Sequence, residues 1–128
     1  MSYAVMLYGA AISALLATLA VALLGAPANR HTLPVVITTL AAFFAPLAWN
    51  SILRTTGATS AFSHDLAFKP FPISWQDTGS GVFTLAAAFT VLSLDAGAGN
   101  AARQTARQTA RTAFIVALAA LLVDIYLY

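Results

Sequence analysis

Residues 2–24 read SYAVMLYGAAISALLATLAVALL, an unbroken apolar run without a single charged side chain. An α-helix needs about 20 mostly apolar residues to cross a bilayer. This stretch is therefore long enough to span a membrane. Three further runs of the same kind follow, at Leu33–Leu53, Gly81–Ala98 and Arg111–Tyr128, and nearly all the charge lies between them. The pattern predicts an all-α fold: a polytopic integral membrane protein, with four transmembrane helices in a bundle and an ordered outer loop between helices two and three. All 128 residues form one membrane domain on this reading.

Composition agrees. Hydrophobic residues make up 60% and charged residues 8% of the chain, against roughly 45–50% and 25% in soluble domains. Ten charged side chains cannot cover the surface of a soluble protein this size, so lipid is the expected partner of the apolar surface. Net charge is only +2, with no basic face of the kind that nucleic acids require. Cysteine and glutamate are both absent, which removes thiolate metal sites, cysteine nucleophiles and Glu-based proton relays. The start Met-Ser-Tyr-Ala-Val lacks a basic n-region, and the run exceeds a signal peptide's h-region of about 7–15 residues. The first run is thus expected to be retained as a transmembrane helix.

Punctuation falls where helices should end. Gly25, Pro27 and Asn29-Arg30 close the first run, as helix-stop and turn residues do. Pro34 sits in the first turn of run two, where its missing N–H is harmless, and Pro46 lies inside it, where a kink is expected. Asp77-Thr78-Gly79-Ser80 reads as a turn whose hydroxyls cap run three. Farther on, Arg103, Arg107 and Arg111 recur every four residues and so lie along one side of a helix. A basic extension over 101–111 should run straight into run four.

The positive-inside rule orients the chain. The first and third loops carry Arg30, Arg103, Arg107 and Arg111, whereas Arg54 and Lys69 of the middle loop are offset by Asp65 and Asp77. Both termini and the 54–80 loop are then expected on the outer, non-cytoplasmic side. Tyr3, Tyr8, Trp49, Trp75, Tyr126 and Tyr128 all fall toward that side, as interfacial aromatics do.

Two polar groupings stand out. The candidate outer cluster comprises Asn50, Arg54, His64, Asp65, Trp75, Asp77 and Asp124, with Arg54 the natural partner of Asp124. A loop of this length is usually functional when it is ordered; a lid with a short helical turn near Ala61–Phe68 is expected. The inner candidates are Arg103, Arg107 and Arg111, suited to lipid phosphates, and Asp95, readable as a proton or ion site, an inter-helix hydrogen bond or a partner of Arg103. Asp77-Thr78-Gly79-Ser80 spells an aspartic-protease motif but lacks the strand context and the second Asp which that chemistry needs. His31 and His64 fall on opposite sides and cannot share a haem. His64, Asp65 and Asp77 have unspecific spacing for a metal. No catalytic residue, cofactor or metal is therefore assigned.

Small residues repeat every four along several runs, as at Gly9, Ser13 and Ala17, and at Ala113 and Ala117. Such faces let helices approach closely in lipid. The expected function is non-catalytic: an accessory or structural subunit of a larger membrane complex, packed against other membrane subunits. The alternative is a small homo-oligomeric channel, transporter or ligand-binding protein built on the outer polar cluster.

Overall fold

The computed structural model describes residues 2–65, 73–97 and 106–127. Five α-helices follow one another: α1 (Tyr3–Leu24), α2 (Thr32–Thr56), the short α3 (Thr59–Phe62), α4 (Trp75–Gly97) and α5 (Ala106–Leu127), with a 3-10 turn at Pro27–Asn29. No strand occurs among the described residues; the sole extended pairing there is an isolated bridge between Asp65 and Ser74. Four of the helices are long and apolar enough to cross a membrane. The shortest of these has 22 residues, which at 1.5 Å per residue gives about 33 Å.

Local chemistry sets the ends. The Ser2 hydroxyl accepts from the Val5 N–H at 3.3 Å and caps α1. Gly25 closes that helix by donating its N–H to the Val21 carbonyl at 3.0 Å. A Cβ on Gly25 would stand 2.4 Å from that same oxygen, so no larger residue fits without movement. Gly57 ends α2 in the left-handed region, at φ 71°, a conformation that side chains with a Cβ disfavour. Pro46 lies within α2, which continues through it from Thr32 to Thr56.

The fourth helix departs from expectation. Asp77-Thr78-Gly79-Ser80 is not a turn; it forms the opening turns of α4, which starts at Trp75. The cap is Ser74. Its hydroxyl accepts from the Asp77 N–H at 3.1 Å, while the Asp77 carboxylate accepts from the Ser74 N–H at 2.7 Å. This reciprocal pair is a capping box with Asp in place of the usual Glu. The connection from α2 to α4 is correspondingly shorter than 54–80. A short helix, α3, forms at Thr59–Phe62 and shares only Ala61 and Phe62 with the turn expected near Ala61–Phe68; Ser63 to Asp65 are not helical, and Leu66 to Phe68 lie outside the described residues, as does Lys69.

Helix α1 packs against α2 and α5, and α4 packs against the same two, with α2 and α5 touching across one diagonal. The side chains between them are small: Ala10, Ala14, Ala17, Ala41, Ala42, Ala88, Ala113 and Ala120 are buried. Met6, Leu53 and Leu92 are buried with them, but many large apolar side chains point away, with Leu23 70%, Leu94 68%, Leu15 62% and Phe44 57% exposed. A water-soluble core would have the reverse arrangement. Threonines between the helices bond to their own helix: Thr38 Oγ1 donates to the Pro34 carbonyl at 2.7 Å and Thr84 Oγ1 to Ser80 at 2.8 Å. The hydroxyls of Thr18 and Thr39 share a hydrogen bond of 2.7 Å between α1 and α2.

Candidate functional site

One end of the helices gathers polar side chains from α2, α4 and α5. Helix α4 presents Gln76, Asp77 and Ser80; Ser80 lies four residues after Gln76 and three after Asp77, so it neighbours both on the helix surface. Helix α2 presents Asn50 across from them. The Asn50 Oδ1 accepts from Gln76 Nε2 at 2.7 Å, and its Nδ2 donates to the Pro46 carbonyl at 3.1 Å and reaches Ser80 Oγ at 3.5 Å. Asn50 is thus held in one orientation, 4% exposed.

An aromatic wall stands beside this network. Trp49 Nε1 donates to the Gln76 carbonyl at 2.9 Å. Its ring packs against Phe62 at 5.5 Å and Phe83 at 5.0 Å between centroids. The close approach of α2 to α4 here depends on Gly79, where any side chain would collide with the indole.

Asp124 completes the group from α5. It is 2% exposed, and neither carboxylate oxygen has a hydrogen-bond partner among the described residues. Gly81, next to Ser80 on α4, packs against Leu121, three residues before Asp124 on α5. A buried carboxylate with no donor is costly. The expected ion pair with Arg54 is not formed. Arg54 is exposed, and its guanidinium sits 4.6 Å from the centroid of the Tyr3 ring. A charge at the helix end keeps its hydration and gains a ring face there, whereas reaching Asp124 would strip it of water.

The other members of the expected outer cluster are not part of this group. His64 and Asp65 are exposed on the connection, and Trp75 is 52% exposed. They tie the loop to α4 instead: the Trp75 N–H donates to the His64 carbonyl at 3.3 Å, and Asp65 bridges Ser74. No group of three His, Asp or Glu side chains converges among the described residues, so His64, Asp65 and Asp77 do not form a ligand trio. Ser80 and Ser74 belong to the Asp124 end although they read as loop residues. The Ser-x-x-Asp spacing at 74–77 was the signal that could have found them.

The opposite end is built on arginine. Arg30 Nε donates to the Gly25 carbonyl at 2.9 Å and Arg30 NH2 to Leu23 at 3.0 Å, while Arg111 NH2 donates to Leu24 at 3.2 Å. These are carbonyls that the end of α1 leaves without helical partners, and cations there also oppose the helix dipole. Arg111 is thereby given a structural task, Arg107 is exposed on α5, and Arg103 lies outside the described residues. Asp95 is half-buried near the end of α4. Beside the clamp, Asn29 Nδ2 and the Ala26 N–H both donate to Thr112 Oγ1, at 2.9 and 3.2 Å.

No protein family, curated protein or solved structure matches the chain.

Proposed function

We propose that this chain is an integral membrane protein whose helices α1, α2, α4 and α5 form a transmembrane bundle, and that it serves as a non-catalytic subunit of a larger membrane assembly. The inside-out distribution of side chains supports insertion: small residues between helices, large apolar ones facing lipid. The arginines at the α1–α2 turn and at the start of α5 support a cytoplasmic position for that end. Both termini and the loop around His64 then face outward.

The observation that carries the subunit reading is a pair of apolar grooves along α4. One, of about 460 Å³, lies against α2 and is floored by Ala41, Ala45 and Ala87 between Phe44 and Phe83. The other, of about 580 Å³, lies against α5, with Ala86 and Ala110 between Phe89 and Phe114. An alanine floor rimmed by phenylalanine accepts the ridge of another helix, and close packing is what drives helix association in lipid. The occupant on this reading is a transmembrane helix of a different membrane protein.

The chain contains no cysteine, so single-cysteine cross-linking is clean. Phe44→Cys and Phe89→Cys, cross-linked in the native membrane and followed by native mass determination in mild detergent, should each capture a distinct partner chain. Self-cross-links alone would favour the second reading, a homo-oligomeric channel, transporter or ligand-binding protein. That reading draws on Asp124, buried and without a hydrogen-bond partner among the described residues. A monomer with no cross-link would overturn both.

A further inference from the structure

The groove between α4 and α5 extends beyond its alanine floor. A second hollow between the same helices is lined by Gly81, Ala117 and Leu121, and the two hollows share Val82, Leu85 and Phe114. They form one continuous groove from Ala110 to Leu121. From Ala110 to Leu121 is eleven residues, or about 16 Å at 1.5 Å per residue. The hydrocarbon of one leaflet is half of about 30 Å. The groove therefore matches the length of one acyl chain within one leaflet. Its position matches too, because Arg111, next to Ala110, reaches the Leu24 carbonyl where α1 ends.

The same face of α5 carries a cation. Arg107 lies three residues before Ala110 and seven before Phe114, so it continues the stripe that lines the groove. It is exposed, whereas Arg30 and Arg111 are engaged with carbonyls at the end of α1. Among the described residues, these three arginines face only Asp95 as an acid at this end, which is therefore positive. A guanidinium binds phosphate through paired N–H groups. An anionic headgroup gains from the positive end, while a zwitterionic one brings a second cation to it. The groove between α2 and α4 has no counterpart. The one basic residue on either helix is Arg54, at the opposite end.

We propose that, in the unassembled chain, the α4–α5 groove holds one anionic phospholipid of the leaflet on the Arg107 side. Its phosphate sits on the Arg107 guanidinium, and one acyl chain runs between Phe89 and Phe114 toward Leu121. The proposal rests on the membrane-spanning reading above. A partner helix that seats in this groove displaces the lipid. Anionic lipid thus competes with assembly at the α4–α5 groove and leaves the α2–α4 groove unaffected.

Native mass determination of the purified full chain in mild detergent tests this, with phosphatidylglycerol or phosphatidylcholine of identical acyl chains added. One phosphatidylglycerol should be retained, with a preference of roughly fivefold over phosphatidylcholine for one basic side chain. Arg107→Gln should reduce retention to the phosphatidylcholine level, and Arg107→Lys should keep most of it. Ala110→Leu, at an exposed position, fills the groove without changing charge and should lower retention of both lipids. Equal retention of the two lipids by the unaltered chain would overturn the proposal. So would a preference for phosphatidylglycerol that survives Arg107→Gln. Full retention in Ala110→Leu would reduce Arg107 to a surface contact and overturn the seated acyl chain. The partner reading fails separately, through the absence of a cross-link from Phe89→Cys to another chain. A chain that stays dissolved without detergent would defeat the membrane-spanning reading itself, and this proposal with it.

Discussion

Gly79 lies so close to Trp49 that a Cβ built on it would stand 2.2 Å from the indole Cε2. Helices α2 and α4 meet at this point, and the same indole donates to the Gln76 carbonyl. The glycine is required by contact rather than by backbone conformation, since it sits inside a regular helix.

Gly79→Ala should force the indole from its place and break that hydrogen bond. Overpacking of this kind costs roughly 1–3 kcal/mol. Thermal unfolding in detergent should register the loss, and Trp49 fluorescence should shift to the red in a Trp75→Phe background. An unchanged Tm with unchanged emission would mean that the two helices do not approach this closely.

Ser74→Ala should destabilise the start of α4 by about 1 kcal/mol, the usual value of an N-cap side chain. Ser74→Thr or Ser74→Asp should restore most of it. Hydrogen exchange of the Asp77 amide offers a local readout, because that N–H donates to the Ser74 hydroxyl. Equal exchange in all variants would contradict the capping box.

Asp124→Asn should raise Tm. A buried group left without its partner carries a penalty of roughly 1–3 kcal/mol, more when charged, and the amide can donate to hydroxyls such as Ser80. Asp124→Ala should raise it less, or lower it, because the lost volume leaves a cavity. A marked fall on Asp124→Asn would show that the carboxylate has a donor after all.

Arg30→Gln should weaken the turn between α1 and α2 more than Arg111→Gln does, since Arg30 holds two carbonyls and Arg111 one. A charged donor's hydrogen bond is worth about 1.5–3 kcal/mol when well shielded, and less at exposed positions such as these. Comparing Tm for the two single variants and the double one settles the order. Near-additive effects are expected, because the two side chains serve different carbonyls.

Orientation can be read with an impermeant maleimide on intact cells. Ser63→Cys, on the loop after α3, should label from outside, whereas His31→Cys, at the start of α2, should label only after lysis. The opposite pattern would reverse the assignment made from the arginines.

Several of these features could be read from the chain alone. The helical stretches follow from length and composition, because a run such as Ser2–Leu24 offers no charge or proline to break it. The arginines at 30 and 111 marked one end of the fold before any contact was known. The start of α4 was misread for a physical reason: Asp77, Thr78 and Ser80 are polar and resemble a loop, yet each finds a partner within a helix. Similarly, Arg54 and Asp124 lie toward one end of the chain's spans in any topology. What separates them is burial, which linear spacing does not encode.

The number of long apolar helices, their approximate ends, the small-residue faces and the segregation of basic residues were legible in the chain, because these follow from local hydrophobicity and helix periodicity. Which helices are neighbours, that Arg30 and Arg111 close the end of α1, and that Asp124 and Ser13 are both buried without hydrogen-bond partners among the described residues emerge only in three dimensions. Those outcomes depend on how far each helix is rotated and shifted against the next. Rotation and register are set by the packing of side chains from distant parts of the chain, and no single stretch of sequence contains them.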